Sequence, residues 1–191
     1  MAGFVWGQPM KFPIARADVI RAIPQRWLLK FWTEHLLGHR IPQWSSVDAE
    51  ILEPMSESLS LVDLVGAGSS TRFLFRFHGA LIGEVYGSND CRGRHLDEII
   101  PPQRSEAVLA AYRQAADSGL PVYTIHDVTD ASGRLVHSER LVLPFAQDGE
   151  RVDRILSSFE FVCPDGAFDN RLLLRGAAPA LRLSARIEAP A

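Results

Sequence analysis

The side chains best suited to contact a ligand lie on strand-like segments in the last third of the chain. Residues 122–128 alternate so that His126 lies on one face, and residues 135–145 carry His137. A predicted turn at residues 130–133 separates the two segments, so these histidines could be neighbours on adjacent strands and anchor a polar ligand. A solvent-facing histidine pair is the alternative, and we favour it because polar side chains are mostly exposed.

Arg140 is a second candidate, placed among leucine-rich positions of the same region. Its planar guanidinium suits a carboxylate, which could belong to a ligand or to Glu98 or Glu160. Tyr86 and Tyr112 lie on predicted helices that should close over the sheet, so either hydroxyl could reach a bound molecule. Both could equally be core aromatics with a hydroxyl at the edge of the core.

The predicted pocket residues are all aromatic or polar side chains on elements that can face the inside of a curved sheet. They are Phe75, Phe77, Tyr86, Tyr112, His126, His137, Arg140 and Ser158. Alternation does not show which face of the sheet is concave, so the set draws on both faces. No acid–base pair stands out at a supportive spacing, so we predict no catalytic residue.

The remaining histidines do not predict a metal centre. His35 and His39 are four residues apart, but zinc needs a third protein ligand and Gly38 should end the helix between them. His95 lies at the start of a short predicted helix, and a single histidine is a weak signal for haem. We therefore predict no metal site, disfavour haem and leave the identity of any cofactor unknown.

The elements that must position these residues follow a defined order. Helices are predicted at residues 24–37, 79–86, 94–100 and 103–118, and strands at 59–65, 71–78, 122–128, 134–145 and 151–162. This order predicts an α+β fold: a five-stranded antiparallel sheet with helices packed on one face, plus an N-terminal amphipathic helix.

The N-terminal helix carries an aromatic stripe formed by Trp27, Phe31 and Trp32 at three- and four-residue steps. Such a stripe packs either on its own domain or against a second copy of the chain. We give the two equal weight and name these three residues as dimer-interface candidates.

Length and charge narrow the function further. The 191 residues suit one domain at 24–163, with an N-terminal extension at 1–23 and a C-terminal tail at 164–191, whose last dozen residues we expect to be mobile. A net charge of −3 predicts no nucleic-acid partner, and the absence of a long apolar run predicts no membrane partner. Two widely spaced cysteines predict free thiols in the cytoplasm.

An ordered series of motifs resembles a family of short bacterial PAS-like proteins. The motifs are Gly38-His39-Arg40-Ile41-Pro42, Phe75-Arg76-Phe77-His78-Gly79, Gly93-Arg94-His95-Leu96-Asp97-Glu98-Ile99, Gly119-Leu120-Pro121-Val122-Tyr123, Gly133-Arg134, Glu139-Arg140-Leu141-Val142-Leu143-Pro144-Phe145 and Asp148-Gly149. The resemblance covers about residues 27–162 and implies a sensory or ligand-binding domain with no established chemistry.

One segment departs from that family and superficially resembles the flavin photoreceptors among PAS domains. Residues 87–93 contain Asn89, Cys91 and Arg92, but Asp90 separates the first two and Gly93 stands where an aromatic is expected. The later strands also lack the Asn and Gln side chains that would hydrogen-bond a flavin ring. The sequence therefore disfavours flavin photochemistry.

We predict a stand-alone PAS-type sensory module without enzymatic activity. It should bind a small molecule, a signalling partner protein or both, and form a homodimer. A small enzyme on a curved-sheet cone is the first alternative, with His126, Asp127 or His137 as its general base. A purely structural dimerisation domain is the second.

Overall fold

The computed structural model describes residues 10–88, 90–171, 173–175 and 179–188. Within these residues the sheet has seven strands in the order β1-β7-β4-β5-β6-β2-β3. The strands are β1 Ile14–Ala15, β2 Leu59–Val65, β3 Arg72–His78, β4 Val122–Thr129, β5 Leu135–Ala146, β6 Val152–Val162 and β7 Ala180–Ile187. Each of the five predicted strands forms within about a residue of its predicted bounds.

The prediction of a five-stranded sheet was wrong in number, because both terminal extensions add a strand. β7 pairs antiparallel with β4, and β1 pairs parallel with β7 at the edge of the sheet. The Leu and Ile side chains of β7 alternate with Arg182, Ser184 and Arg186. This period of two is a strand pattern. Residues 1–9 and 189–191 of the two predicted extensions lie outside the described residues.

In the described part of the chain, four α-helices precede or interrupt the strands. They are α1 Ile23–Glu34, α2 Ala80–Tyr86, α3 Leu96–Ile99 and α4 Pro102–Ser118. A ten-residue 3₁₀ helix, Ala49–Ser58, leads into β2. Gly119 ends α4 at φ +67°, a left-handed conformation that favours glycine, and its N–H donates to the carbonyl of Ala115.

Apolar side chains fill both faces of the sheet, and the helices divide between them. The α4 face packs under α2, α3 and α4, with buried residues that include Phe73, Phe75, Val108, Tyr112 and Val142. The α1 face packs under α1, with buried residues that include Leu28, Trp32, Tyr123, Leu141 and Ala185. The N-terminal helix thus covers the face opposite the other helices.

The aromatic stripe of α1 is mostly used inside the chain. Phe31 is 4% exposed and Trp32 1% exposed, whereas Trp27 is 39% exposed. The indole N–H of Trp32 donates to the carbonyl of Pro144 on β5 at 2.6 Å. Phe31 and Trp32 therefore pack on their own domain, and Trp27 is the member of the stripe that remains on the surface.

No helix within the described ranges is both long enough and apolar enough to cross a membrane.

Candidate functional site

The register of β4 and β5 places a set of polar side chains on the α4 face. Thr124 lies opposite Arg140, and His126 lies opposite Ser138. Residues that alternate with them, such as Tyr123 and Leu141, belong to the α1 face. Since Thr124, His126, Ser138 and Arg140 are all at least nine-tenths buried, the strand pair carries a polar patch into an otherwise apolar core.

The guanidinium of Arg140 is held in place without a carboxylate. Its Nη2 donates to the hydroxyl of Tyr86 on α2 at 3.1 Å, and its carbon lies 4.7 Å from the ring centroid of Phe159 on β6. Its Nε and Nη1 have no hydrogen-bond partner among the described residues. Three of the five guanidinium N–H groups are therefore buried and unused.

A second buried cation, Arg104 on the first turn of α4, faces the same space. It is 4% exposed, and with Tyr86, His126, Ser138 and Arg140 it lines a cavity of about 10 Å³. Such a volume admits one water-sized group. None of the described residues that line this cavity is acidic; the other four are Ala107, Val108, Leu174 and Pro179.

Burial is the main cause of the pKa shifts of the groups around the cavity. Burial, reinforced by the charges of Arg140 and Arg104, lowers the pKa of His126 to about 3, so its imidazole is neutral at pH 7. Burial also lowers the pKa of Arg104 to about 10 and raises the pKa of Tyr86 above its usual range. The cavity is therefore lined by N–H and O–H donors and by the guanidinium groups of Arg104 and Arg140. Such groups can bind a polar ligand.

Not all of the predicted pocket residues meet at this cavity. Tyr86, His126 and Arg140 line it, while Phe75 and Tyr112 pack in the surrounding core of the α4 face. The Tyr112 hydroxyl accepts from Ser157 Oγ at 2.9 Å.

The other three predicted pocket residues lie elsewhere. Phe77, beyond a register shift in the β2–β3 pair, is 39% exposed at the edge of the sheet. Ser158 alternates with Ser157 and lies beside α1, where Gln25 Nε2 donates to its carbonyl at 3.2 Å.

His126 and His137 are not cross-strand neighbours, because the β4–β5 register pairs His137 with Asp127. His137 therefore lies on the opposite face, with Nδ1 2.7 Å from Asp127 Oδ1 and Nε2 3.2 Å from Arg182 Nη1. Both ring nitrogens are thus engaged, so His137 is not placed as a free general base. His126 is likewise held neutral beside two cations, which weakens it as a base.

The two predicted acidic partners of Arg140 also lie elsewhere. Glu98 forms an ion pair with Arg72 at 2.8 Å. Glu160 pairs in register with Glu139, and its pKa is raised by burial and by the charge of Glu139. Strand alternation puts both of these glutamates on the α1 side of the sheet, away from Arg140.

Sequence reasoning missed Arg104, Thr124 and Ser138 as site residues. Arg104 carried a usable signal: it extends the buried stripe of α4 back by one turn, four residues before Val108. Arginine at a buried-stripe position is uncommon unless it is paired. Ser138 and Thr124 became visible only through the register of β4 and β5.

A larger groove of about 910 Å³ opens to solvent at the other end of α4. Its charged lining residues are of both signs: Arg113, Asp117, Asp148, Arg151 and Asp153. It contains none of the eight predicted pocket residues, and its charges are within reach of water. The buried cavity is therefore the stronger candidate for a specific site.

Within the described part of the chain, no group of three or more His, Cys, Asp or Glu side chains is placed to hold a metal ion. Cys91 is buried in the α4 face, and burial raises the pKa of its thiol. Its backbone N–H donates to His78 Nε2 at 2.8 Å. Asn89, which contributes to the photoreceptor-like segment, lies outside the described residues.

Part of this chain is similar to several solved structures of known proteins. Solved structures with a similar fold include a complex of VqmA from Vibrio cholera with ligand and DNA, at 13% identity and a TM-score of 0.44 over 60% of this chain and 51% of that chain. VqmA bound to DPO matches at 14% identity and a TM-score of 0.43, over 62% and 59% of the two chains. An RNA-binding light-oxygen-voltage receptor matches at 14% identity and a TM-score of 0.39, over 77% and 56%.

This chain thus spans about half to three-fifths of the length of those proteins. No curated protein matches the sequence. A family model for the PAS domain matches residues 20–160, which run from just before α1 almost to the end of β6. Since that match covers most of the chain, the protein belongs to the PAS domain family.

Proposed function

We propose that this PAS domain is a sensory module that binds a small molecule in the cavity between α2, α4 and the β4–β5 strand pair. The observation that carries the proposal is the set of buried polar atoms around the cavity that have no hydrogen-bond partner among the described residues: Arg140 Nε and Nη1 and His126 Nε2. The nearby Thr124 Oγ1 also has no hydrogen-bond partner among the described residues. Buried polar groups in proteins are nearly always hydrogen-bonded, so exceptions that converge on one cavity favour a ligand.

Native mass spectrometry of the freshly purified protein, compared with its denatured mass, tests this proposal. We expect the native protein to carry extra mass from a non-covalently bound molecule, and this extra mass should be lost on denaturation. It should also be missing from Arg140→Met, in which the central donor is replaced by an apolar side chain of similar length. Arg113→Met, at an exposed position of α4, is the matched control and should retain the mass. A bare chain in every preparation would contradict the proposal.

We further propose that the module self-associates through the outer side of α1 and acts on a signalling partner in the cytoplasm. Ile23 is 78% exposed and Trp27 39% exposed, four residues apart on one helix face. Both cysteines are free, which fits a reducing compartment. Light scattering after size exclusion should show a dimer that Trp27→Lys dissociates and that Ile51→Lys, at another exposed apolar position, leaves intact. A monomer in the wild type would overturn this part of the proposal.

A further inference from the structure

We propose that the ligand of this cavity is a small organic carboxylate, whose anionic group binds between Arg104 and Arg140. This inference rests on the proposed function, since it names the class of ligand for the same site. Two cations at one buried cavity, without an acidic residue in its described lining, are the observation that points to an anion.

Charge is the first step of the argument. A buried charge is costly unless it is paired, and proteins usually pair buried arginines with carboxylates. Arg140 forms no ion pair within the described chain, and the acidic residues that could have reached it are on the far side of the sheet or engaged with Arg72. An anion in the cavity would supply the missing charge.

Hydrogen-bonding capacity is the second step. The site offers the free Nε and Nη1 donors of Arg140, the neutral imidazole of His126 and the hydroxyl of Ser138. An occupant must accept several hydrogen bonds at once, as a carboxylate does with two oxygens and about four lone pairs. A metal cation or an ammonium group would meet only repulsion from the two guanidinium groups.

The remaining wall of the cavity favours an organic anion. Ala107 and Val108 on α4 supply an apolar wall next to the two arginines. A carboxylate on a short apolar chain can contact both the wall and the arginines, and arginine recognises carboxylates in a planar, two-contact geometry.

The arrangement also connects binding to a change in shape. A whole organic acid is larger than the cavity, so its entry must move α4 away from the β4–β5 pair. Arg104 lies on α4 and Arg140 on the sheet, so an anion between them contacts both moving parts. The ligand would thus favour the arrangement in which both arginines reach it.

The test uses propionate as the probe and propionamide as its uncharged counterpart, at matched ionic strength. Titrations followed by NMR of the arginine side-chain N–H signals should show saturable binding of propionate by the wild type. Arg140→Met and Arg104→Met should each weaken that affinity by at least about tenfold, and Arg113→Met should not. Arg140 forms no ion pair within the described chain, and replacing such a buried cation by an apolar side chain is often neutral or stabilising, so Arg140→Met should remain folded. The melting temperatures of Arg140→Met and Arg104→Met check the folding of both variants.

Three results would overturn the inference. They are an equal response to propionamide, undiminished propionate binding by Arg140→Met, and tighter binding of inorganic phosphate than of propionate. The mass spectrometry described above separates this failure from failure of the proposed function. A released neutral molecule would reject the carboxylate and keep the sensory module, whereas a bare chain that also ignores propionate would reject both.

Discussion

At the scale of single residues, His126 is the group whose titration most clearly affects stability. Its pKa is about 3 in the folded protein, against about 6.5 for an unperturbed histidine, because burial and two nearby arginines oppose its protonation. The unfolded chain therefore binds a proton that the folded chain rejects as the pH falls below about 6.5. The stability that follows from a neutral His126 is complete above this pH and declines steadily toward pH 3.

We expect the wild type to lose about 2 kcal/mol more unfolding free energy than His126→Gln between pH 7 and pH 5. Urea titrations at the two pH values measure this difference. His39→Gln removes an exposed histidine and should behave as the wild type does. Parallel losses in the wild type and His126→Gln would show that His126 is not held neutral by its surroundings.

The hydroxyl of Tyr123 supports a buried carboxylate on the α1 face. It donates to Glu139 Oε2 at 2.6 Å, and Glu139 is 1% exposed. Tyr123→Phe should cost about 1–3 kcal/mol, since it leaves a charged acceptor short of a donor. Tyr112→Phe, which removes a bond between two neutral hydroxyls, should cost only about 0.5–1.5 kcal/mol in the same denaturation experiment. The reverse ranking would contradict this account.

At the scale of elements, α1 acts as a packed layer of the domain. Trp32→Ala removes a fully buried indole and its hydrogen bond to Pro144, so we expect a loss of about 3–5 kcal/mol. Trp27→Ala, measured at concentrations where the chain is monomeric, should cost less than about 1 kcal/mol because that side chain is already 39% exposed. Equal losses in thermal or urea unfolding would mean that α1 does not bury the face described here.

β7 is the element that the sequence least clearly predicts, and it can be tested by one pair of variants. Ala185 on β7 is 2% exposed within the α1 face, whereas Ala180 at the start of the strand is exposed. Ala185→Asp should lower stability by at least about 3 kcal/mol, because it buries an unpaired carboxylate, and Ala180→Asp should be nearly neutral. If the last dozen residues were mobile, as we expect from the sequence, neither substitution would change the stability.

At the scale of the whole molecule, the sequence predicts local elements better than it predicts which faces meet. Residues 59–65 were predicted as a strand and form β2, because turn signals and alternation are local. The placement of His126 and His137 on opposite faces depends on the β4–β5 register, in which a shift by one residue exchanges the faces. Glu160, one of the two predicted acidic partners of Arg140, is likewise placed on the α1 side by strand register, here that of β5 and β6.

The strand β5 joins the two sides of the molecule. Arg140 reaches the cavity, while its neighbour Glu139 faces α1 and its carbonyl accepts from Gln25 Nε2 at 3.3 Å. The same amide group also donates to the carbonyl of Ser158 on β6. Gln25 is fully buried, so α1 is hydrogen-bonded to the strands directly behind the proposed ligand.

A ligand that contacts Arg140 should therefore change the dynamics of α1, whose outer side carries Ile23 and Trp27. We expect propionate to slow amide hydrogen exchange in α1 as well as in α4, because ordering β5 strengthens the bonds made by Gln25. Gln25→Met keeps the apolar bulk of the side chain but removes both hydrogen bonds. It should retain propionate binding and protection of α4 while losing protection of α1. Unchanged exchange in α1 of the wild type would show that the two faces respond independently, and that α1 does not carry the signal.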